Sequence, residues 1–420
     1  MSKNRGWTVT FSGTGINLAL GILYTWSVFK GAISTSISKG GPDAFAWDPA
    51  ALNDPYAICC LVFAFATVLA GRIQDKWGPR VTAFLGGVLV SIGLILISRT
   101  TSYGVWVLGF GLLAGTGIGF GYAAATPPAL KWFPPQKTGL VAGLVVSGFG
   151  LASVYIAPLS QYTLRVWGIQ GSMLFFGIAF LVVVCGLSMF LVNPPAGFVP
   201  QAVAPKAGQP AAAPKPQADA KPSELIRTGS FYIIWSIFFI GAGAGLMVIG
   251  FVAGMAQKSL GEMAFIAVAI LAIGNAGGRI IAGIISDKIG RRLTLIIMLL
   301  FQAALMLIAI PVVGAQKASP VLVVLIATFM GFCYGTNLSL FPSLTKDNWG
   351  LKNFGINYGL VFTAWGVGGF VMGRLSQMLI ASTGKYTSSF LVAAVLLVIG
   401  AFLAVLLKGK QSTPQPAAQK

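Results

Sequence analysis

Apolar residues in this chain run in blocks of about twenty, separated by short polar stretches. About twenty apolar residues cross a bilayer core as an α-helix. Twelve blocks reach that length, at roughly 7–29, 51–73, 81–98, 105–128, 139–161, 172–192, 230–253, 263–285, 293–313, 321–343, 355–380 and 387–407. The first contains polar breaks such as Asn17 and no small-residue cleavage site follows it, so it reads as a span and not as a cleavable signal. The pattern predicts an all-α membrane protein with twelve transmembrane helices. A composition of 56% hydrophobic and 9% charged residues points the same way.

One long polar stretch interrupts the blocks. Residues 194–222, PPAGFVPQAVAPKAGQPAAAPKPQADAKP, are Ala, Pro, Gln and Lys with little to bury, and read as a flexible linker. The expected organisation is a six-helix bundle at 1–193, a cytoplasmic linker at 194–229, a second six-helix bundle at 230–410 and a tail at 411–420. The halves carry a repeat: GRIQDKWGPR begins at Gly71 and GIISDKIGRR at Gly283, while GFGY ends at Tyr122 and GFCY at Tyr334, each pair 212 residues apart. Two independent motifs at one offset indicate a duplicated, pseudo-symmetric unit.

The formal net charge of +19 would suggest nucleic acid in a soluble protein, but its distribution along the chain argues otherwise. With the N-terminus inside, 19 Lys and Arg fall in inner segments and 7 in outer ones, with Arg279 and Arg374 left within spans. The bias places both termini in the cytoplasm, and the basic charge becomes a topology signal with no nucleic-acid partner implied. Cys59, Cys60, Cys185 and Cys333 all lie within spans, so no extracellular disulfide framework is suggested. The chain has no histidine, which removes most triads, metal sites and haem ligands; no enzyme activity, metal or cofactor is expected.

Arg279 is the residue that needs an explanation. A charge near the bilayer centre costs on the order of 2.5–3.5 kcal/mol or more. Arg279 lies eight residues before Asp287, roughly 12 Å up the helix from the inner loop. All nine acids fall at span ends or in loops, so none is placed to pair with it. Two readings stand: a structural Arg bonded to backbone carbonyls, or a site whose counter-ion is the substrate. A carboxylate fits the guanidinium fork, and one central cation favours a monocarboxylate over a dicarboxylate. Asn275 is one turn away on the same face and can hold the same ligand or bond a neighbouring helix. Tyr122 and Tyr334 are repeat mates in spans 4 and 10, able to face one cavity from two sides or to pack. Tyr358, Phe362 and Trp365 follow i, i+4, i+7 on span 11, as pocket lining or packing. Arg374 and Lys30 sit near outer span ends, where they can snorkel. In the repeat Arg279 aligns with Thr67, so the charge belongs to one half only.

The G-x-x-x-D-K-x-G-x-R pattern after spans 2 and 8 resembles the signature loop of the major facilitator superfamily, and helix count, linker and repeat extend that resemblance over the whole chain. It implies two bundles rocking around a midplane site, with Gly71, Asp75, Arg80, Gly283, Asp287 and Arg291 in orientation and gating. The segments LYTWSVF, KWFPPQKTGLVAG, NAGGRIIAGIISDKIGR and NYGLVFTAW look like the oxalate:formate antiporter family and its monocarboxylate-transporter relatives. That resemblance implies Arg279 as the carboxylate-binding residue. The antiporter's second cation, a Lys in span 11, is Trp365 here. The Asp found four residues before the Arg in animal monocarboxylate transporters is Asn275, and their span 1 Lys has Val28 as its nearest counterpart. The expectation is a monomeric inner-membrane transporter of lactate- or pyruvate-like monocarboxylates with a proton as partner. Carboxylate exchange is the alternative. An exporter of cationic drugs lacks a central acid, and a receptor would lack its signalling domain.

Overall fold

The structure is a computed structural model that describes residues 5–41, 44–195, 197–198, 200, 219–260, 264–314, 319–383 and 385–407. Most of the expected linker, the tail at 411–420, the acids Asp43 and Glu262, and Lys3, Lys206, Lys215, Lys317, Lys408, Lys410 and Lys420 lie outside the described residues.

Among the described residues eleven helices are long and apolar enough to cross a membrane. They are α1 (Gly6–Lys39), α2 (Asp54–Trp77), α3 (Pro79–Ile97), α4 (Tyr103–Lys131), the helix Thr138–Ser188, α7 (Gly229–Leu260), α8 (Ala264–Ile289), α9 (Arg291–Gly314), α10 (Pro320–Trp349), α11 (Phe354–Thr383) and α12 (Thr387–Leu406). The helix Thr138–Ser188 is 51 residues long and breaks at Gly168, whose φ of +67° reverses the chain at a single residue. Its arms, 138–167 as α5 and 169–188 as α6, bring the crossings to twelve. The hydropathy pattern places a ten-residue gap there; the structure needs one glycine. Several helices also outrun their apolar cores, α1 to Lys39 and α10 to Trp349. Large apolar side chains such as Val182 (67% exposed) and Phe402 (64%) cover the outer face, the arrangement expected of a surface solvated by lipid.

The two halves meet chiefly along α2 with α11 and α5 with α8. These crossings are glycine on glycine at the signature-loop end. A Cβ at Gly71 would lie 2.2 Å from the carbonyl oxygen of Gly355, and one at Gly283 would lie 2.3 Å from that of Gly139. One turn further, both carboxylate oxygens of Asp75 accept from the amides of Gly355 and Ile356, and those of Asp287 from Gly139 and Leu140, all at 3.0 Å. Each signature-loop acid thus caps the first turn of a helix in the opposite half, where the amides are unbonded and the helix dipole is positive.

The two caps are charged differently. Arg291 pairs with Asp287 at 2.6 Å and Asp347 at 3.2 Å, and Lys346 pairs with Asp347 at 2.8 Å while donating to the Thr138 hydroxyl at 2.9 Å. At the other crossing Arg80 is exposed, and among the described residues no ion pair reaches Asp75. The repeat explains this: Arg80 aligns with Arg292, while Arg291 has Pro79 opposite it.

Gly71→Ala must separate two backbones and is expected to destabilise the closed crossing by about 1–3 kcal/mol. Gly277→Ala in α8, where an added Cβ meets nothing within 4 Å, should be neutral or stabilising. Thermal unfolding in detergent checks the contrast.

Candidate functional site

The centre of the molecule is built around α8. Asn275 and Arg279 stand one turn apart, and the Arg279 Nε donates to the Asn275 carbonyl oxygen at 2.9 Å. Nη1 donates to the backbone carbonyl of Val146 in α5, across the boundary between halves. Gly143 and Gly150 on α5 make room for this. A Cβ at Gly143 would stand 2.3 Å from the Arg279 carbonyl, and one at Gly150 would stand 3.2 Å from Nε. Arg279 is fully buried, its Nη2 has no hydrogen-bond partner, and among the described residues no carboxylate pairs with it.

Two polar wings flank the guanidinium. In the first, α1 passes through a 3₁₀ turn at Gly21–Thr25 that carries Tyr24. The Tyr24 and Tyr334 hydroxyls lie 2.7 Å apart, and the Trp365 indole donates to the Tyr334 oxygen at 2.8 Å. Three donors, one indole N–H and two O–H groups, share two hydrogen bonds here, so one phenol O–H remains over. In the second wing the Tyr122 and Tyr358 hydroxyls face each other at 3.5 Å. The charge of Arg279 acts on all four phenols.

Aromatic rings close the space between the wings. Phe362 lies 5.0 Å from Tyr122, 5.3 Å from Phe63 and 5.2 Å from Trp365, centroid to centroid, and Phe149 joins Tyr24 to Tyr122 at 5.2 and 5.7 Å. These separations suit edge and offset packing. Such a low-dielectric box strengthens any charge pairing inside it. What the arrangement can do is bind a small anion: it offers one free guanidinium arm, one surplus hydroxyl donor and apolar walls. Among the described residues no cluster of three or more His, Cys, Asp or Glu could hold a metal.

Asn275, Arg279, Tyr122, Tyr334, Phe362 and Trp365 therefore converge on one site, while Gly71, Asp75, Gly283, Asp287 and Arg291 gather at the signature-loop end. Tyr24, Phe63 and Phe149 are participants that sequence reasoning missed. None has an aromatic repeat mate, and only the 3₁₀ turn turns Tyr24 toward Tyr334. Thr67, aligned with Arg279, is buried and bonds its own helix through the Ala64 carbonyl at 2.6 Å. Arg374 is exposed and bonds Gln377 at 3.4 Å.

The family model of the Major Facilitator Superfamily matches residues 6–373 and 259–420. The chain belongs to this superfamily. It is thus a multi-pass membrane transporter by family. Its similarities include an uncharacterised superfamily transporter, YhjX, of Escherichia coli (28% identity, 86% of this chain and 85% of that one). The oxalate:formate antiporter of Oxalobacter formigenes is 26% identical, with 94% and 89% covered. Monocarboxylate transporter 11 of Homo sapiens is 28% identical, with 95% and 82% covered. Solved structures share the fold: the proton:xylose symporter XylE at TM-score 0.69 and 13% identity, covering 96% of each chain, and the superfamily transporter FucP in its outward conformation at 0.64 and 15%, covering 94% and 98%.

Tyr334→Phe removes the shared atom of the first wing and leaves the Trp365 N–H and Tyr24 O–H without their partner. The expected loss is about 1–3 kcal/mol, seen as a lower unfolding temperature in detergent. Phe362→Leu should cost stability without touching these hydrogen bonds.

Proposed function

We propose that the protein carries small monocarboxylates of the lactate or pyruvate type across the membrane by alternating access, with Arg279 as the carboxylate clamp. The observation that carries this reading is the fully buried guanidinium with an unbonded Nη2 and, among the described residues, no acid paired with it. The named activities of the antiporter and monocarboxylate-transporter relatives support the substrate class. One carboxylate oxygen takes Nη2, the surplus phenol hydroxyl of the Tyr24–Tyr334 pair takes the other, and Asn275 holds the guanidinium plane. Tyr122, Phe362 and Trp365 enclose the organic end. With one cation in the box, a dianion such as oxalate would leave a buried negative charge uncompensated.

Charge also frames the coupling. Bound monoanion and Arg279 neutralise each other, so a proton that crosses with the anion leaves the cycle electroneutral without an acidic side chain in the site. That no carboxylate among the described residues pairs with Arg279 favours a second reading, exchange of one carboxylate for another, in which the Arg never returns empty. Both use the same clamp. The positive bias of the signature-loop side supports reading that side and both termini as cytoplasmic, and the carrier is proposed to work in the inner membrane as a monomer.

An Arg–carboxylate contact at 4 Å and an effective dielectric of 20 is worth about 4 kcal/mol, comparable with the roughly 4 kcal/mol of a millimolar site. Arg279→Lys keeps the charge but loses the planar fork, and uptake of labelled L-lactate into liposomes should fall by roughly 10- to 100-fold, as for a lost hydrogen bond to a charged group. Normal uptake by that variant would sink the clamp. Accumulation driven by an acidic-outside gradient marks symport, and uptake that requires preloaded carboxylate marks exchange.

A further inference from the structure

The two crossings share their glycine packing and differ in what bonds across it. Among the described residues, five hydrogen bonds pass from the second half to α5. Asp287 accepts from the amides of Gly139 and Leu140 at 3.0 Å, the Thr138 hydroxyl accepts from Lys346 at 2.9 Å and Arg291 at 3.3 Å, and the Val146 carbonyl accepts from Arg279. Lys346 is 2% exposed, and Asp347 at 2.8 Å compensates its charge from within the same half. Buried hydrogen bonds with a charged partner are the stronger kind.

Only two hydrogen bonds join α2 to the second half among the described residues, both of them to Asp75. The groups that reinforce the first crossing are altered at this one. Arg291 has Pro79 opposite it in the repeat. The residue just ahead of the capped amides is Thr138 at one crossing and Phe354 at the other, and Phe354 is buried with no hydroxyl to offer. Ser286, next to the capping acid, donates to the Gly283 carbonyl at 2.8 Å and accepts from Arg291. Its repeat mate is Gln74, which is 1% exposed and has no hydrogen-bond partner at either amide atom. The Gln74 Cγ lies 3.0 Å from where a Cβ on Gly355 would stand, so this amide is shut against the other half. From α11, the fully buried Asn357 also leaves its carbonyl oxygen unpartnered. Buried amide groups without partners weaken a closed seam, and they gain water as soon as it parts.

We propose that the signature-loop end opens lopsidedly: the halves part along α2–α11, where Gln74 and Asn357 become the wetted wall of the passage, while the α5–α8 seam stays joined and serves as the hinge. Thr138 is then a hinge residue, because the cations of the second half grip α5 through its hydroxyl. The inference takes the alternating access of the proposed function as its setting. It holds whichever carboxylate is carried.

The test reads the two seams separately. Spin labels are placed in full-length protein with the four native cysteines replaced, at Lys76 and Lys352 across α2–α11 in one sample and at Gln136 and Lys288 across α5–α8 in another. All four positions are exposed. Distance distributions recorded in lipid nanodiscs should show a long component in the first pair and a single short one in the second. Gln74→Leu removes the unpaired amide at similar volume and should deplete that long component roughly fivefold or more. Thr138→Val removes the acceptor shared by Lys346 and Arg291 and should raise the long component of the second pair roughly tenfold. Equal lengthening of the two pairs overturns the hinge and leaves alternating access standing. Short distances in both overturn the hinge and count against alternating access too. No change on Gln74→Leu means that its amide does not weaken the seam, and the proposal fails. Should Gln74→Leu fail to fold, Gln74→Met takes its place.

Discussion

A guanidinium at the centre of an apolar bundle is the constraint that organises this protein. Everything close to Arg279 can be read as a response to it. Asn275 is one turn away to take Nε, a carbonyl of α5 takes Nη1, four phenols lie within reach of its charge, and among the described residues no acid pairs with it. A buried acid would satisfy Arg279 permanently and leave nothing for an anion to do. Partial satisfaction by neutral groups holds the side chain in place and keeps its charge uncompensated.

The fold supplies the geometry by using glycine where helices must touch and acids where helices begin. The same carboxylate-on-helix-start contact occurs at both crossings, as the internal duplication requires, yet its charged surroundings differ. The α5–α8 crossing carries ion pairs among Arg291, Asp287, Asp347 and Lys346, while the Asp75 cap at the α2–α11 crossing has none among the described residues. Duplication fixed the scaffold, and later divergence is visible in which residues carry charge. The same divergence put an Arg at 279 and a Thr at 67.

Much of this was legible in the residues. The twelve spans, the 212-residue repeat and the isolation of Arg279 follow from hydropathy, spacing and a count of nine acids. What was not legible is whatever depends on backbone detail or on contacts between distant segments. The hinge at Gly168 is one glycine among many in the sequence. Tyr24 joins the site only because α1 tightens into a 3₁₀ turn, which no periodicity announces. Arg80 stands in the signature motif but is exposed, and what Asp75 holds is the pair of amides of Gly355 and Ile356 in the other half. Asp219 lies in a stretch whose composition suggested that nothing there was held, yet its carboxylate accepts from the amides of Leu351 and Lys352.

The bond from Arg279 to the Val146 carbonyl has a consequence beyond holding a side chain. Its donor and acceptor ride on different halves, so it fastens the two halves to each other at the centre of the bundle. Any guest that draws Nη1 away from that carbonyl unfastens the halves in the same act. A guest that takes only Nη2 leaves the bond in place, so one guanidinium can hold the guest with one arm and the opposite half with the other.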